Sequence, residues 1–253
     1  MNDAGGSTKI QAVVLAAGKG TRMKSDLPKV LHELAGRPLL EHVLATVREA
    51  GIRRTVVVVG HQADLVRDAC AADDLVFVVQ EPQLGTGHAV QTAEPALDAD
   101  GYTVVLSGDV PLLRSRTLRS LLDGAIAADA AAAVLTCVVD DAGAYGRIIK
   151  DGQGAFQAIV EARDATAGQL AVREFNTGIY CYRTADLVGA LGMLSDDNDQ
   201  HEYYLTDTIA HLVAAGRPVV AVAADDPGEV VGINTVAELE AAAGLLARRG
   251  GRD

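Results

Sequence analysis

Short runs of almost uninterrupted apolar residues, separated by segments with helical periodicity, constrain the fold of this chain most strongly. Buried β-strands are predicted at IQAVVLAAG (10–18), TVVVVG (55–60), LVFVVQ (75–80) and YTVVLSGD (102–109). Helices are predicted at 38–51, 63–70, 87–97 up to Pro95, and 117–128. Strands that are apolar at successive positions are covered on both faces, which is typical of parallel sheets. We therefore predict an α/β fold with a mostly parallel central sheet.

The order of the predicted secondary-structure elements changes in the second half of the chain. Strand-like segments follow one another with little helix between them: AAAVLTCVVD (131–140), GRIIK (146–150), AFQAIVEA (155–162) and EFNTGIYCYR (174–183). This pattern predicts antiparallel additions to the sheet that form a wall over a pocket. A late strand is predicted at 218–225, and a helix at 235–249 begins with a capping box formed by Thr235 and Glu238.

Ligands of open α/β sheets bind beyond the carboxyl ends of the strands, so the loops after Ala17, Gln80 and Ser107 are the expected binding loops. The first loop is unusual in its charge. The chain has 34 acidic and 22 basic residues, yet GKGTRMKSDLPK (18–29) contains four cations: Lys19, Arg22, Lys24 and Lys29. Backbone N–H groups around two glycines, with a guanidinium and an ammonium group nearby, can bind phosphates. The loop therefore predicts a site for a nucleoside triphosphate.

Two familiar phosphate motifs are absent from this loop. A dinucleotide fingerprint needs glycine where Met23 stands and an acid after the second strand, where Gly60 and His61 stand. A Walker A motif needs Gly-Lys where Met23 and Lys24 stand. For the glycine pair alone, a tight turn with solvated lysines remains an equal alternative.

Composition excludes several other classes of function. The net charge of −12 disfavours non-specific nucleic-acid binding, and no apolar run is long enough to span a membrane. The first nine residues lack the apolar stretch of a signal peptide. Three widely spaced cysteines without metal-ligand spacing favour a reduced, cytoplasmic location.

Two further loops and one late turn supply polar groups at strand ends. In QEPQLGTGHAV (80–90), the amide of Gln80 can read a uracil edge, although the segment also fits a capped helix start. In LSGDVPLL (106–113), Asp109 offers a carboxylate for Mg²⁺ or a turn before a proline. Asn234, in VVGINT (230–235), is either an oxygen ligand or part of a helix terminus.

The string LAAGKGTRMKSDLPKVLH (15–32) resembles the signature of sugar-1-phosphate nucleotidylyltransferases. Within that superfamily, SDLPKVLH and QLGTGHA are similar to the uridyltransferase domains of the bacterial bifunctional N-acetylglucosamine-1-phosphate uridyltransferase/glucosamine-1-phosphate acetyltransferases. The resemblance extends from about residue 10 to residue 235. It implies a Rossmann-like nucleotidyltransferase fold whose antiparallel additions form a sugar-binding lobe.

The resemblance also implies roles for individual residues. The implied catalytic residues are Lys29 and Arg22, and the implied Mg²⁺ ligands are Asp109 and Asn234. The implied nucleotide-binding residues are Leu15, Ala16, Ala17, Gly18, Gly20, Gln80, Gly85, Thr86, Ser107 and Gly108. The implied sugar-binding residues are Gly146, Glu161 and Asn176, and HEYYLTD (201–207) resembles a segment near the sugar site. Arg163 stands in a segment where the family commonly has lysine, and its role stays open.

The implied reaction is transfer of UMP from UTP to N-acetylglucosamine 1-phosphate. It gives UDP-N-acetylglucosamine and pyrophosphate, for synthesis of the peptidoglycan cell-wall precursor. Two alternatives remain: another nucleotidylyltransferase, such as a methylerythritol-phosphate cytidylyltransferase, or a non-catalytic regulatory module with the same fold.

The expected domain organisation is a flexible tail (1–9), a uridyltransferase domain (10–234) and a C-terminal helical arm (235–253). The bifunctional enzymes continue into a β-helix of hexapeptide repeats, and no such repeats occur in this sequence. We therefore expect no acetyltransferase activity from this chain. A monomer is expected for it, and a trimer if the native protein carries the repeat domain.

Overall fold

The computed structural model describes residues 8–198 and 200–250. Its strands are β1 Ile10–Ala16, β2 Glu33–Leu34, β3 Arg37–Pro38, β4 Thr55–Val59, β5 Leu75–Val79, β6 Tyr102–Ser107, β7 Ala132–Val138, β8 Arg147–Lys150, β9 Phe156–Val160, β10 Glu174–Arg183 and β11 Val219–Ala223. Its helices are α1 Leu39–Glu49, α2 Ala63–Cys70, α3 Thr86–Ala93, α4 Ser115–Ala127, α5 Ala167–Leu170, α6 Thr184–Leu191, α7 Thr206–Ala214 and α8 Val236–Gly250.

The central sheet has the strand order β11-β7-β10-β6-β1-β4-β5, with β8 and β9 attached beside β10. Strands β6, β1, β4 and β5 are parallel to one another, and β11 is parallel to β7. Strand β10 runs antiparallel to both β6 and β7, and β8 pairs antiparallel with β9. The predicted fold class, a mostly parallel sheet with antiparallel additions, is confirmed.

Both faces of the sheet are buried, which explains the continuous apolar runs. In β4, Val57 and Val59 join a core with α1, α2 and α4, whereas Val56 and Val58 join a second core with α3, α6 and α7. A strand whose successive side chains enter two different cores is apolar at most of its positions. The β-branched valines also suit the pleated backbone.

The order of the strands creates a crevice at their carboxyl ends. The chain passes from β1 to β4 and β5 on one side of β1, and then returns through α3 to β6 on the other side. The loops that follow β1 and β6 therefore leave the sheet in opposite directions. Ligands of open α/β sheets bind at such a switch point.

The structure contains helices that the sequence pattern missed in the second half of the chain. Helix α5 lies between two of the segments for which we predicted little helix, and α6 and α7 follow β10, where we predicted no element. Helix α6 begins at Thr184, directly after the last residue of β10, without a Gly, Pro or Asn-rich turn to mark the change. Proline 95 does end α3, as predicted, because the helix gives way to a 3₁₀ turn at Glu94–Ala96.

The last helix begins as the sequence predicted. The N–H of Glu238 donates to Thr235 Oγ1 at 3.2 Å, and the N–H of Thr235 donates to Glu238 Oε2 at 2.9 Å. Buried Leu34, Leu39, Leu112, Ile233 and Ala242 form a small third core beneath this helix. The predicted boundary at residue 234 stays a prediction, and the predicted tail (1–9) lies outside the described residues except for Thr8 and Lys9.

Among residues 8–198 and 200–250, no helix is both long and apolar enough to cross a membrane.

Cys70, Cys137 and Cys181 are buried free thiols. Burial raises the pKa of the Cys70 thiol to about 11.

Candidate functional site

A cavity of about 410 Å³ lies in the crevice between the loops that follow β1 and β6. Eight of the ten residues predicted to bind the nucleotide line it: Leu15, Ala16, Ala17, Gly18, Gln80, Gly85, Thr86 and Ser107. Lys29 and Asp109 also line it. Residues from three separate loops, chosen from their sequence patterns, thus meet at one surface.

The two other predicted nucleotide residues lie beside this cavity without lining it. Gly20 packs against Lys29, and Gly108 donates its N–H to the carbonyl oxygen of Leu15 at 2.9 Å. The second contact ties the end of β6 to the end of β1. Both glycines therefore contact residues that line the cavity, Lys29 and Leu15.

Gly20 must be glycine for two independent reasons. Its φ is +63°, in the left-handed region, and a Cβ there would lie 2.5 Å from the Cβ of Lys29. The loop then turns through a short 3₁₀ segment, Thr21–Met23, whose Met23 side chain is buried and anchors the loop. This tight packing aims Lys29 towards the cavity.

Four predicted site residues meet at the mouth of the cavity. The Lys29 ammonium forms a salt bridge with Asp109 and donates a hydrogen bond to Asn234 Oδ1 at 3.0 Å. Arg22 Nη2 donates to the same Asn234 oxygen at 2.9 Å. Two oxygen atoms from segments that are distant in sequence therefore converge on one cation.

The segment that carries Asn234 is held in place by its neighbours. The N–H of Asn234 donates to Glu238 Oε2 at 2.6 Å, and the N–H of Ile233 donates to the carbonyl oxygen of Asp109 at 2.9 Å. Upstream, the fully buried Glu229 accepts a hydrogen bond from Thr117 and lies 3.2 Å from Arg114 Nε. These contacts fix the position of Asn234 relative to Asp109. The sequence pattern had not singled out Glu229.

The oxygen atoms of Asp109 and Asn234 suit a magnesium ion. Mg²⁺ binds oxygen donors, commonly takes one or two from the protein, and keeps its other positions for water and phosphate. Asp109 is 8% exposed, so its carboxylate faces the crevice rather than bulk solvent. Within the described part of the chain, no cluster of three or more His, Cys, Asp or Glu side chains offers a self-contained metal site. The arrangement fits a cation shared with a phosphate ligand.

The loop after β5 forms the other wall of the cavity. Gln80 is buried, and its Nε2 donates to the carbonyl oxygen of Gly85 at 2.9 Å. Gly85 has a φ of +103°, and a Cβ there would lie 2.6 Å from the carbonyl oxygen of Tyr203. Thr86 Oγ1 accepts a hydrogen bond from the N–H of Leu205 at 3.1 Å. The segment 202–205 therefore packs directly on the predicted base-binding loop.

Several residues that line the cavity were not predicted from the sequence. They are Val30, Gln83, Ala89 and Glu202, and Lys19, named from the sequence as a cation of the 18–29 loop, also lines the cavity. Gln83 donates to the carbonyl oxygen of Ala17 and so ties the two walls together. The resemblance of HEYYLTD (201–207) was the one signal that pointed to the segment of Glu202.

The three predicted sugar-binding residues form a separate group at the antiparallel strands. The carbonyl oxygen of Gly146 accepts from the N–H of Asn176 at 2.8 Å, and a Cβ at Gly146 would lie 3.3 Å from Glu161 Oε1. None of the three lines the 410 Å³ cavity. Glu161 instead lines a neighbouring cavity of about 440 Å³ with Arg163, Tyr204 and Thr206.

The environments of Asn176 and Glu161 differ. The Asn176 side chain is buried, with its Nδ2 donating to Tyr180 Oη at 2.8 Å and its Oδ1 accepting from the N–H of Gly178 at 3.1 Å. Burial raises the pKa of the Glu161 carboxyl, and the positive charge of Arg163 opposes that shift. The guanidinium of Arg163 lies 5.9 Å from the centre of the Tyr204 ring.

Comparison with known proteins assigns the chain to a family. The family of MobA-like NTP transferase domains matches residues 12–200. A bifunctional protein GlmU of Burkholderia thailandensis is 53% identical over 227 residues, which are 90% of this chain and 50% of that protein. Proteins with the same name from Burkholderia mallei and Burkholderia pseudomallei are 52% identical over 227 residues. The chain spans about half the length of the curated relatives it matches.

Replacing Gly20 with alanine tests the packing that aims Lys29. The methyl group would collide with the Lys29 side chain, and the left-handed backbone would cost roughly 1 kcal/mol in addition. We expect nucleotide affinity, measured by calorimetric titration with UTP and Mg²⁺, to fall at least tenfold. Gly36→Ala is the matched control, because Gly36 also has a positive φ (+77°) but no atom within 4 Å of the added methyl. Equal losses of affinity in both variants would contradict this account.

The raised pKa of Glu161 predicts a pH-dependent effect on stability. Because the pKa in the folded protein lies above the unfolded value, the favourable contribution of Glu161 is complete below the unfolded pKa and is lost as the pH rises through the folded pKa. The Tm of Glu161→Gln should therefore match that of the wild type near pH 4 and exceed it near pH 7.5. The exposed Glu240 provides the control substitution, Glu240→Gln, for which no such divergence is expected. A constant Tm difference for Glu161→Gln across this range would refute the assignment.

Proposed function

The chain belongs to the family of MobA-like NTP transferase domains, and from that membership we propose that it transfers UMP from UTP to N-acetylglucosamine 1-phosphate. The products are UDP-N-acetylglucosamine and pyrophosphate. The family and relatives confirm the resemblance stated from the sequence, and the choice of nucleotide and sugar is part of this proposal.

The observation that carries the proposal is the convergence of Arg22, Lys29, Asp109 and Asn234 beside the nucleotide cavity. Transfer of a nucleotidyl group brings the three phosphates of UTP and the phosphate of the sugar close together. Such a reaction needs concentrated positive charge and little other protein chemistry. Arg22 and Lys29, which meet at one crevice of an otherwise acidic chain, supply that charge.

In the proposed reaction, a phosphate oxygen of the sugar phosphate attacks the α-phosphorus of UTP in line, and pyrophosphate leaves. The attacking oxygen is ionised near neutral pH, so no general base is required. The chain's residues act by positioning and by charge neutralisation. Lys29 stabilises the α-phosphate as negative charge develops there. Arg22 and the backbone N–H groups of the 18–20 loop hold the β- and γ-phosphates.

Asp109 and Asn234 would hold Mg²⁺, which when bound supplies neutralisation of phosphate charge. In the structure these oxygens bind the Lys29 ammonium. We propose that Lys29 turns from them to the phosphates when substrates bind. Both roles need only small movements of one flexible side chain.

The sugar is proposed to lie against the antiparallel strands. Gly146, Glu161 and Asn176 are close to one another there, and carboxylate and amide groups supply the acceptors and donors that hydroxyl and acetamido groups need. Asn176 already uses both ends of its amide, so its remaining capacity, one N–H and one lone pair, would serve the sugar. The cavity lined by Glu161 gives that carboxyl group access to a ligand.

The two alternatives are less well supported. A regulatory module could lose Lys29, Asp109 or Asn234 and keep its fold, yet all three are present and in contact. A cytidylyltransferase acting on another alcohol phosphate would not need the group formed by Gly146, Glu161 and Asn176. Reaction in the cytoplasm is part of the proposal, because Cys70, Cys137 and Cys181 are free thiols.

The direct test is pyrophosphate release with four substrate pairs: UTP or CTP, each with N-acetylglucosamine 1-phosphate or glucose 1-phosphate. We expect fast turnover only with UTP and the acetylated sugar, abolished by a metal chelator.

In Lys29→Met, kcat should fall roughly 10²–10³-fold, which is typical for loss of one electrostatic group at a transition state. Lys24→Met is the matched control, since Lys24 is exposed on the same loop.

The outcomes distinguish the proposed function from its alternatives. Turnover with a different pair would reject the proposed substrates while keeping a nucleotidyl transfer. A folded protein that binds nucleotide but releases no pyrophosphate with any pair would favour the regulatory module. An equal loss of activity in Lys24→Met would show that total loop charge, rather than the position of Lys29, matters.

A further inference from the structure

The orientation of the Gln80 amide is fixed by a partner that can only accept a hydrogen bond. Gln80 follows β5 directly, and its backbone N–H donates to the carbonyl oxygen of Val59 at 2.7 Å. Its side-chain Nε2 lies 2.9 Å from the carbonyl oxygen of Gly85. Because a carbonyl oxygen cannot donate, the NH₂ end of the amide must face Gly85.

The same Nε2 has a second partner in the first turn of α3. It lies 3.1 Å from Nδ1 of His88. An amide nitrogen carries two N–H groups and no lone pair available for a hydrogen bond, so His88 Nδ1 must be the acceptor. His88 is therefore neutral with its proton on Nε2. Both donors of the Gln80 amide are then occupied by protein groups.

His88 is well placed to hold this orientation. Its neighbours in α3, Ala89 and Val90, are buried in the core beneath the sheet, and its ring lies 6.1 Å from the ring of Tyr203. Tyr203 in turn accepts a hydrogen bond from the N–H of Gly87 at 2.7 Å through its carbonyl oxygen. The half-buried imidazole therefore lies between a packed helix and a packed loop.

The remaining polar atom of the amide is the acceptor Oε1. No hydrogen bond within the described part of the chain reaches this oxygen, and Gln80 lines the nucleotide cavity. Uracil presents an N3–H donor on its pairing edge, whereas cytosine presents an N3 acceptor at the same position. A site whose amide offers only an acceptor to the N3 position matches the first base and opposes the second.

We propose that His88 is a positioning residue that sets pyrimidine selectivity, because it locks the Gln80 amide with Oε1 towards the base. The inference rests on the proposed function, in which Gln80 reads the base of UTP. His88 itself does not contact the substrate. Without the His88 acceptor nitrogen, the Gln80 amide keeps only its hydrogen bond to Gly85, so its Oε1 is held less firmly towards the base.

The test compares the ratio of kcat/KM for UTP to that for CTP among variants, with N-acetylglucosamine 1-phosphate and Mg²⁺ held constant. His88→Phe keeps a ring against Tyr203 but removes the acceptor, and the ratio should fall about five- to tenfold, within the net range for one hydrogen bond. His88→Asn restores an acceptor oxygen near the position of Nδ1, and the ratio should return to within about threefold of the wild type.

Gln91→Ala is the matched control on the same helix. Gln91 donates one side-chain hydrogen bond, to the carbonyl oxygen of Leu191 at 2.9 Å, and has no hydrogen bond to Gln80. Loss of this hydrogen bond should lower the Tm about as much as His88→Phe does, without changing the ratio of kcat/KM for UTP to that for CTP. In the wild type, nitrogen-resolved NMR should show His88 with a proton on Nε2 and none on Nδ1.

The outcomes distinguish this inference from the proposed function. A wild type with no preference for UTP would overturn the proposed function, and this inference with it. A UTP-selective wild type whose ratio is unchanged in His88→Phe would overturn the inference alone. Should His88→Phe not fold, His88→Ala decides the question by the same ratio.

Discussion

The structure depends most on one cation, the ammonium group of Lys29, which joins the end of β6 to the start of α8. It binds Asp109 from the first and Asn234 from the second, while Gly20 packs against its stem. The pair with Asp109 is largely shielded from solvent, so removal of either charge leaves the other poorly compensated. The oxygen atoms of Asp109 and Asn234 that bind the ammonium group also suit a divalent metal. Because ammonium groups and divalent metals both bind phosphate, this arrangement suits phosphate chemistry.

The position of this cation follows from the topology of the sheet. Strands β1 and β6 are neighbours, but their following loops diverge because the chain winds outward through β4 and β5 before it returns. The diverging loops leave a crevice, and the parallel strands place Gly18, Gln80 and Ser107 along its edge. The antiparallel strand β10 then adds a second surface with Asn176. The proposed nucleotide and sugar sites are thus supplied by different parts of one sheet.

Most of the fold and much of the site could be predicted from the sequence, for identifiable physical reasons. The valine-rich strands were visible because both sheet faces are buried, and the capping box of Thr235 and Glu238 was visible because it is a local motif. Helix α6 was missed because no turn residue marks its start. The roles of Gln83 and Glu202 were missed because they depend on contacts between loops that are distant in sequence. Asn234 needed a family resemblance, since a polar residue before a helix is ordinarily part of a cap.

The most direct test of the central claim is a crystal structure with UTP and Mn²⁺, with the metal located by its anomalous scattering. The account predicts a metal ion bound by oxygens of Asp109 and Asn234, with the Lys29 ammonium moved to a phosphate oxygen and the uracil N3 facing Gln80 Oε1. A metal bound elsewhere, with Lys29 still paired to Asp109 beside a bound nucleotide, would contradict it. That result would make the cation cluster a structural clamp rather than the centre of a nucleotidyl transfer.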